Sequence, residues 1–269
     1  MADAEAEQAP AGFFDRLRQA ASARRSQLCI GLDPTPERIA GGAGGALQHC
    51  AEVVRRTSDV ACCYKPNAAF WEQYGEDGLR ALRELRERIP ADIPVLYDAK
   101  RADIGSTMRA YRNAIFDTLR MDAVTVHAYH GLDSLEEFTG DADRGVFVVC
   151  RTSNPGARDL QDLSVQERPL YIRVAELAGR ANRHGNVGLV VGATFPAEVA
   201  LVRAQSPLPF LIPGIGAQGG DLDVAVRGAW TGDPASCLIS TSRAVLYADD
   251  PGRAARSLRA DINRVLAGC

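Results

Sequence analysis

The sequence predicts a single-domain α/β protein folded as a (β/α)8 barrel, also called a TIM barrel. Eight short apolar runs recur along the 269 residues, and helix-compatible segments lie between them. Most runs begin roughly 20 to 40 residues after the previous one, which is the size of one strand–helix unit. Eight such units account for nearly the whole chain.

The runs are each about five to seven residues long and apolar throughout, as expected for parallel strands covered on both faces. In chain order the predicted strands are 27–33, 60–66, 94–98, 123–127, 145–151, 187–192, 209–213 and 237–241. The segments between them predict helices, for example at 78–88, 107–119 and 170–183.

An open, doubly wound sheet is the main alternative fold. Such a sheet usually has fewer strands and a G-x-G-x-x-G turn after the first one. The first predicted strand here leads into Gly31-Leu32-Asp33-Pro34 instead, so the barrel is favoured. The Gly/Ala segment 41–45 does not directly follow a strand and is interpreted as a flexible connection.

The connecting segments are short, so no second domain is needed. We expect a polar N-terminal leader and first helix at 1–20, followed by a (β/α)8 barrel catalytic domain at 21–269. The first dozen residues lack the basic and apolar regions of a signal peptide. No apolar stretch approaches the eighteen or so residues that cross a bilayer, so no membrane partner is expected.

Charge and cysteine content narrow the possible partners and compartment. The formal net charge of −3 gives no reason to expect nucleic acid, whose binders usually carry a basic surface. Seven cysteines occur without a C-x-x-C pair, and most lie in or beside apolar runs. We therefore expect buried, reduced thiols and a cytoplasmic protein.

Charged and polar side chains follow the predicted strands at their carboxyl ends, where such barrels carry their chemistry. These residues are Asp33, Lys65, Asp98, Lys100, His127, Ser153, Gln218 and Arg243. Strand alternation places Asp98 and Lys100 on one face, directly after an apolar run. The alternative is that these charged side chains form a solvated rim on the protein surface. The register of the two preceding apolar runs, however, directs the side chains of Lys65 and Lys100 toward the inside of the barrel. A preorganised charge cluster is therefore expected.

Two turns near the C-terminus predict a phosphate site. PGIGAQGG at 213–220 follows the seventh run, and STSRA at 240–244 follows the eighth. Loops at these positions usually hold phosphate in this fold, because backbone N–H groups face the anion. Glycines also make tight turns for no further purpose, but Arg243 adds a forked guanidinium and favours phosphate.

Six stretches in this order resemble the orotidine 5′-phosphate decarboxylase family. The signature is D-x-K-x-x-D at 98–103, followed by Ile104. The supporting stretches are Gly31-Leu32-Asp33, Tyr64-Lys65-Pro66-Asn67, RTSNPG at 151–156, PGIGAQGG at 213–220 and Ser242-Arg243. D-x-K-x-x-D alone is moderately specific, whereas all six together are highly specific. The resemblance extends from about residue 27 to 246, nearly the whole chain.

The resemblance implies decarboxylation of orotidine 5′-monophosphate (OMP) to UMP and CO2 in de novo pyrimidine biosynthesis, with no cofactor and no metal. The substrate ring has no electron sink, so fixed charge must stabilise a carbanion at C6. In the family's scheme Lys100 would lie beside C6 and deliver the proton. Asp98 would keep Lys100 protonated, and Lys65 would continue the charge array.

The resemblance also implies how the nucleotide is bound and how subunits share the site. Asp33 and Lys65 would reach the ribose hydroxyls, and Ser153 the pyrimidine amide. The residues implied at the phosphate are Gln218, Gly219 and Arg243. Asp103, the last carboxylate of the catalytic array, and Thr107, one helical turn later, would be donated across the interface of a homodimer.

Several nearby residues have an ordinary structural interpretation. His127 and His130 lie where a metal ligand is possible, but a hydrogen-bonded role is favoured because no H-x-x-x-H pair occurs. Asn67 is either a ribose or phosphate contact or a turn residue. Trp71 and Tyr74 are interpreted as packing residues.

Two rival functions remain open at this point. The sugar-phosphate branch of the same superfamily shares D-x-K-x-x-D but uses Mg²⁺, and it places a glutamate where this chain has Lys65. A cation there repels a divalent metal, which favours the metal-free chemistry. The second rival is a phosphate-ligand-binding barrel without catalysis, which would not require Lys100 beside Asp98.

Overall fold

The structure is a computed structural model, and it describes residues 11–194, 196–214 and 221–269. Within these residues, eight parallel strands surround a common axis in the sheet order Cys63–Lys65, Leu28–Gly31, Cys237–Thr241, Phe210–Ile212, Val187–Val191, Gly145–Arg151, Ala123–Val126 and Leu96–Arg101. Parallel bridges from Tyr64 to Val95 and from Asn67 to Asp98 join the two ends of this order. The predicted barrel is therefore confirmed.

Seven of the eight predicted runs contain one whole strand of the barrel, whereas the strand that starts in the run 94–98 continues three residues further, to Arg101. The strands are β1 Leu28–Gly31, β2 Cys63–Lys65, β3 Leu96–Arg101, β4 Ala123–Val126, β5 Gly145–Arg151, β8 Val187–Val191, β9 Phe210–Ile212 and β10 Cys237–Thr241. A two-stranded antiparallel hairpin that the sequence did not predict lies between β5 and β8. It consists of β6 Ser164–Val165 and β7 Arg168–Pro169.

Helices connect the strands and cover the barrel. They are α1 Phe13–Arg24, α2 Gly42–Thr57, α3 Ala68–Glu72, α4 Gly75–Arg88, α5 Gly105–Arg112, α6 Leu132–Thr139, α7 Arg158–Gln161, α8 Leu170–Ala181, α9 Pro196–Gln205, α10 Leu222–Ala229, α11 Arg243–Leu246 and α12 Pro251–Leu266. A π-helical turn, Asn113–Thr118, extends α5, and a 3-10 turn, Pro155–Ala157, precedes α7. In the described part of the chain, no helix combines the length and hydropathy needed to cross a bilayer.

The structure of segment 41–45 differs from the expectation. It was interpreted as a flexible connection, but α2 begins at Gly42. The helix buries Leu47, Cys50 and Val53 against the strands, and this burial outweighs the low helix propensity of the glycines at its start.

The hydrophobic core consists of two apolar clusters, one between the barrel and its surrounding helices and one inside the barrel. The outer cluster packs strand residues against the helices, and it includes Trp71, whose indole N–H donates to the Leu32 carbonyl at 2.9 Å. The inner cluster consists of the alternate strand residues together with residues of α1. Its strand members include Cys29, Cys63, Leu96, Ala123, Phe147, Val190, Leu211 and Leu238.

Helix α1 closes the amino-terminal end of the barrel. Phe13 is fully buried, and its ring meets that of Phe147 edge-on at 6.0 Å between centroids. Gly145 leaves room for Phe13, since a Cβ there would lie 2.4 Å from Phe13 Cδ1. The boundary predicted at residue 20 falls inside this helix, and residues 1–10 of the predicted leader lie outside the described residues.

Six of the seven cysteines are buried, and all seven are free thiols in this structure. Four of them, Cys29, Cys62, Cys63 and Cys237, lie on strands or strand entrances near the closed end. They pack as small apolar residues.

We expect Phe13→Ala to destabilise the fold by about 3–5 kcal/mol, because the substitution leaves a cavity in the inner cluster. Urea denaturation measures the effect. Leu79→Ala, at a 41% exposed position on α4, is the control and should change stability by less than about 0.5 kcal/mol. A Phe13→Ala protein as stable as the control would show that α1 does not seal the barrel.

Candidate active site

A cavity of about 920 Å³ opens at the carboxyl ends of the barrel strands. Seven of the eight residues predicted from the strand ends line it: Asp33, Lys65, Asp98, Lys100, His127, Ser153 and Arg243. The predicted Gln218 and Gly219 lie outside the described residues. The convergence predicted for the charged side chains is therefore observed.

The Asp98 carboxylate is the centre of this cavity's charge cluster. Its Oδ2 accepts from Lys65 Nζ at 2.9 Å and from Asn67 Nδ2 at 3.0 Å. Its Oδ1 accepts from Lys100 Nζ at 2.6 Å and from Thr125 Oγ1 at 2.9 Å. Two cations and two neutral donors therefore use about all the acceptor positions that a carboxylate offers.

Burial makes these interactions strong. The side chains of Lys65 and Asp98 are 7% and 10% exposed, whereas Lys100 is 41% exposed and faces the cavity. Burial opposes the charged form of Asp98, but the charges of Lys65 and Lys100 outweigh it and hold the pKa of Asp98 well below its usual value. Burial likewise disfavours the charged form of Lys65, yet Asp98 and Asp33 raise the pKa of Lys65 above its usual value.

An irregularity in β3 shapes the cluster. Tyr97 pairs with Val124, but the next pair along the two strands is Arg101 with Val126, so β3 has two residues more than β4 between them. Lys100 takes a left-handed backbone conformation with φ of 46°. Such β-bulges commonly re-aim side chains at functional sites.

Asn67 is part of the site, and the sequence had left its role open. It caps α3, since its side chain accepts from the Ala69 N–H at 3.1 Å. Its own N–H donates to Asp33 Oδ1 at 3.0 Å, and its Nδ2 donates to Asp98. Asn67 is thus both a helix-capping residue and a site residue. Its position two residues after Lys65, at the end of the same strand, was the sequence feature that could have predicted a place in the site.

The loops after β1 and β10 meet at the other side of the cavity. Gly31 permits this approach, since a Cβ there would lie 2.7 Å from Ser242 Cβ. Tyr247 Oη accepts from the Thr35 N–H at 2.9 Å and donates to the Asp33 carbonyl at 3.0 Å. Ser242 Oγ is buried and has no hydrogen-bond partner within the described residues.

Asp103 and Thr107 do not line the cavity of their own chain. Asp103 is half-buried beside the start of α5, where its Oδ1 accepts from the Ile104 N–H at 2.8 Å. Thr107 is exposed on the first turn of α5. The 60% exposed Ile104 and the 83% exposed Tyr129 also face outward at this end of the barrel.

The histidines show no arrangement for metal binding. Across the described residues, no group of three His, Cys, Asp or Glu side chains is placed to hold a metal ion. Burial and the neighbouring Lys100 lower the pKa of His127, which lines the cavity at the end of β4. His130 is exposed.

Comparisons with known proteins identify the family. The family model described as orotidine 5′-phosphate decarboxylase / HUMPS matches residues 26–258. The orotidine 5′-phosphate decarboxylase of Thermomicrobium roseum is 51% identical over 261 residues, which cover 94% of this chain and 93% of that protein. This chain belongs to the orotidine 5′-phosphate decarboxylase family.

The solved structure of a relative has the same fold as this chain. The OMP decarboxylase of Leishmania donovani superposes with a TM-score of 0.88 at 45% sequence identity, covering 95% of this chain and 99% of that one. An orotidine 5′-phosphate decarboxylase of Cupriavidus necator is 46% identical over 270 residues, 95% of this chain and 99% of that protein. The likeness to members of the orotidine 5′-phosphate decarboxylase family thus spans nearly the full length of the chain.

We expect Asp98→Asn to destabilise the protein by about 3 kcal/mol at pH 7, because two ammonium groups lose their shared counter-charge. The pKa of Asp98 is lower in the folded than in the unfolded state, so its contribution is complete above about pH 4. As pH falls further, the unfolded chain takes up the proton first, and the difference between wild type and variant should narrow.

Urea denaturation at pH 7 and pH 3 measures this dependence. Asp77→Asn, on the exposed surface of α4, is the control and should change stability by less than about 0.5 kcal/mol at pH 7. A constant difference between wild type and Asp98→Asn at both pH values would contradict the assigned role of the carboxylate.

Proposed function

We propose that this protein decarboxylates OMP to UMP and CO2 in de novo pyrimidine biosynthesis. Membership of the family and the names of its close relatives support the reaction. The observation that carries the chemistry is the Lys65–Asp98–Lys100 cluster inside the cavity, because it supplies fixed opposite charges at a place where a ligand binds.

The proposed reaction needs one bond cleavage and one proton transfer. The bond between C6 and the carboxylate carbon breaks, CO2 leaves, and the electron pair remains on C6. The Lys100 ammonium stabilises this developing anion and then donates a proton to C6, and solvent returns a proton to Lys100. OMP and one proton thus give UMP and CO2.

Asp98 acts in this proposal as a fixed negative charge and not as a base. Its four hydrogen bonds use about all of its acceptor positions, and its pKa lies well below its usual value because of Lys65 and Lys100. It holds the Lys100 ammonium in place through a hydrogen bond of 2.6 Å. The substrate carboxylate would enter next to Asp98, so its loss as CO2 relieves like-charge repulsion.

The cluster favours this reaction over the Mg²⁺-dependent rival. Lys65 is buried at the end of β2, 2.9 Å from Asp98, so its ammonium would repel a divalent cation at this carboxylate. A ligand-binding barrel without catalysis would have no use for a buried charge cluster, whose desolvation lowers the stability of the fold.

Residues on different sides of the cavity are proposed to contact different parts of the nucleotide. Asp33 and Lys65 are proposed at the ribose hydroxyls, and Ser153, on the opposite side at the end of β5, at the pyrimidine amide. Gln218, Gly219 and Arg243 are proposed at the phosphate. Phosphate contacts far from C6 supply binding energy that orients the ring for reaction.

A homodimer with shared sites is part of the proposal. Asp103 and Thr107 would be donated into the neighbouring cavity, which agrees with their position outside their own. The exposed Ile104 and Tyr129 nearby offer apolar surface for the same contact. The buried, free thiols support a cytoplasmic location.

Wild-type protein should consume OMP in an ultraviolet absorbance assay without added metal and in the presence of EDTA. Lys100→Ala should reduce kcat by at least about 10⁴-fold, because both the cation and the proton donor are lost. Lys100→Arg is the matched control: it keeps the charge but cannot readily release a proton, so it should stay strongly impaired. A metal requirement, or an active Lys100→Ala protein, would refute the mechanism.

Co-expressed Lys100→Ala and Asp103→Ala chains should regain activity if sites are shared. Every mixed dimer has one intact site out of two, so dimers purified through both tags should show about half of wild-type activity. The assay is OMP turnover by co-purified dimers carrying a different tag on each chain. Activity no higher than the two parent variants would count against donation of Asp103 across an interface.

A further inference from the structure

Thr125 is a buried polar residue inside the barrel whose hydroxyl lies against the charge cluster. It lies on β4, it is completely buried, and its neighbours on the same face of the strand are Ala123 and His127. A threonine in an apolar strand is usually a packing residue. Here, however, both of its hydrogen bonds go to the residues around which the proposed chemistry is organised.

The Thr125 hydroxyl makes one bond as donor and one as acceptor. It donates to Asp98 Oδ1 at 2.9 Å, and it accepts from the backbone N–H of Lys100 at 2.9 Å. A hydroxyl has one proton and two lone pairs, so both bonds form at once. One side chain of β4 therefore connects the carboxylate of residue 98 to the backbone of residue 100.

The bulge in β3 explains why the Lys100 N–H needs this partner. Between the pairs Tyr97–Val124 and Arg101–Val126, the regular ladder of β3 and β4 is interrupted. The left-handed φ of 46° at Lys100 belongs to this interruption, and it is unfavourable for a residue with a Cβ. The Thr125 hydroxyl replaces the missing backbone acceptor and stabilises that conformation.

We infer that Thr125 is a positioning residue, which holds the Lys100 backbone and the Asp98 carboxylate in one fixed arrangement so that the ammonium of Lys100 reaches the reacting carbon. The identity of that carbon rests on the proposed function. The positioning itself rests on the two hydrogen bonds and on the bulge.

Thr125→Val and Thr125→Ser form a matched pair of variants. Valine keeps the shape of threonine but removes the hydroxyl, which leaves the Lys100 N–H without its acceptor and Asp98 with three donors. Serine keeps the hydroxyl and loses only the methyl group. A packing role predicts that serine is the worse substitution, whereas a positioning role predicts that valine is worse.

The sequence offers an unusually clean spectroscopic readout. Of its 31 lysines and arginines only two are lysines, Lys65 and Lys100. Protein labelled with ¹⁵N at the lysine ζ position therefore gives ammonium NMR signals from these two side chains alone, and a Lys100→Arg protein assigns them. Both ammonium groups bond to Asp98, but only Lys100 has a backbone held by Thr125.

Thr125→Val should lower kcat for OMP by about 100-fold while KM changes by less than about 3-fold, since the lost contact places the reacting group and does not bind the nucleotide. Thr125→Ser should retain kcat within about 5-fold of wild type. In the NMR spectrum of ligand-free Thr125→Val, the Lys100 signal should shift or broaden more than the Lys65 signal.

Three outcomes would overturn the inference: kcat of Thr125→Val within 3-fold of wild type, a serine variant as impaired as the valine variant, or an unchanged Lys100 signal in Thr125→Val. Failure of the proposed function is a separate result. If wild-type protein does not turn over OMP, the NMR comparison still tests whether Thr125 positions Lys100.

Discussion

The structure of the open end of the barrel depends on one buried carboxylate. Asp98 is nearly inaccessible to solvent, so its charge requires compensation by groups that stay in place. The compensation comes from neighbouring strands: Lys65 ends β2, Lys100 belongs to β3, and Thr125 lies on β4. Because strands in a closed barrel cannot move apart independently, the charges are arranged before any ligand enters. The proposed stabilisation of a carbanion would benefit from this arrangement, since little reorganisation would be needed during the reaction.

The cations of the charge cluster are both lysines, although lysine is otherwise absent from the chain. The chain has 29 arginines, which make its surface ion pairs, and its only two lysines both contact Asp98. A guanidinium is broad, forked and permanently protonated, whereas an ammonium is a compact charge that can release a proton. In the proposed reaction Lys100 approaches a single carbon and gives up a proton there, which arginine would do poorly. Arginine is instead proposed at the phosphate, where Arg243 can make a forked contact.

The two ends of the barrel have different physical roles. At the closed end, the apolar residues of α1 and of the inner strand faces seal the interior. At the open end, polar contacts order the loops: Asn67 connects Asp33 to Asp98, and Tyr247 connects the loop after β10 to the loop after β1. These contacts tie the proposed ribose and phosphate sides to the charge cluster, which is how remote binding energy can align the pyrimidine ring.

The sequence by itself determined the eight strands and the presence of Lys65, Asp98 and Lys100 at their carboxyl ends, because apolar runs are a local property of the chain. Tertiary structure alone decided the roles of Thr125 and Asn67, the bulge in β3, and the start of α2 within a glycine-rich segment. Thr125 reaches Asp98 across 27 residues of sequence, and this contact depends on the register between β3 and β4, which no local pattern encodes. The start of α2 was decided by the burial of its apolar face against the strands, a gain in stability that exists only once the barrel has formed.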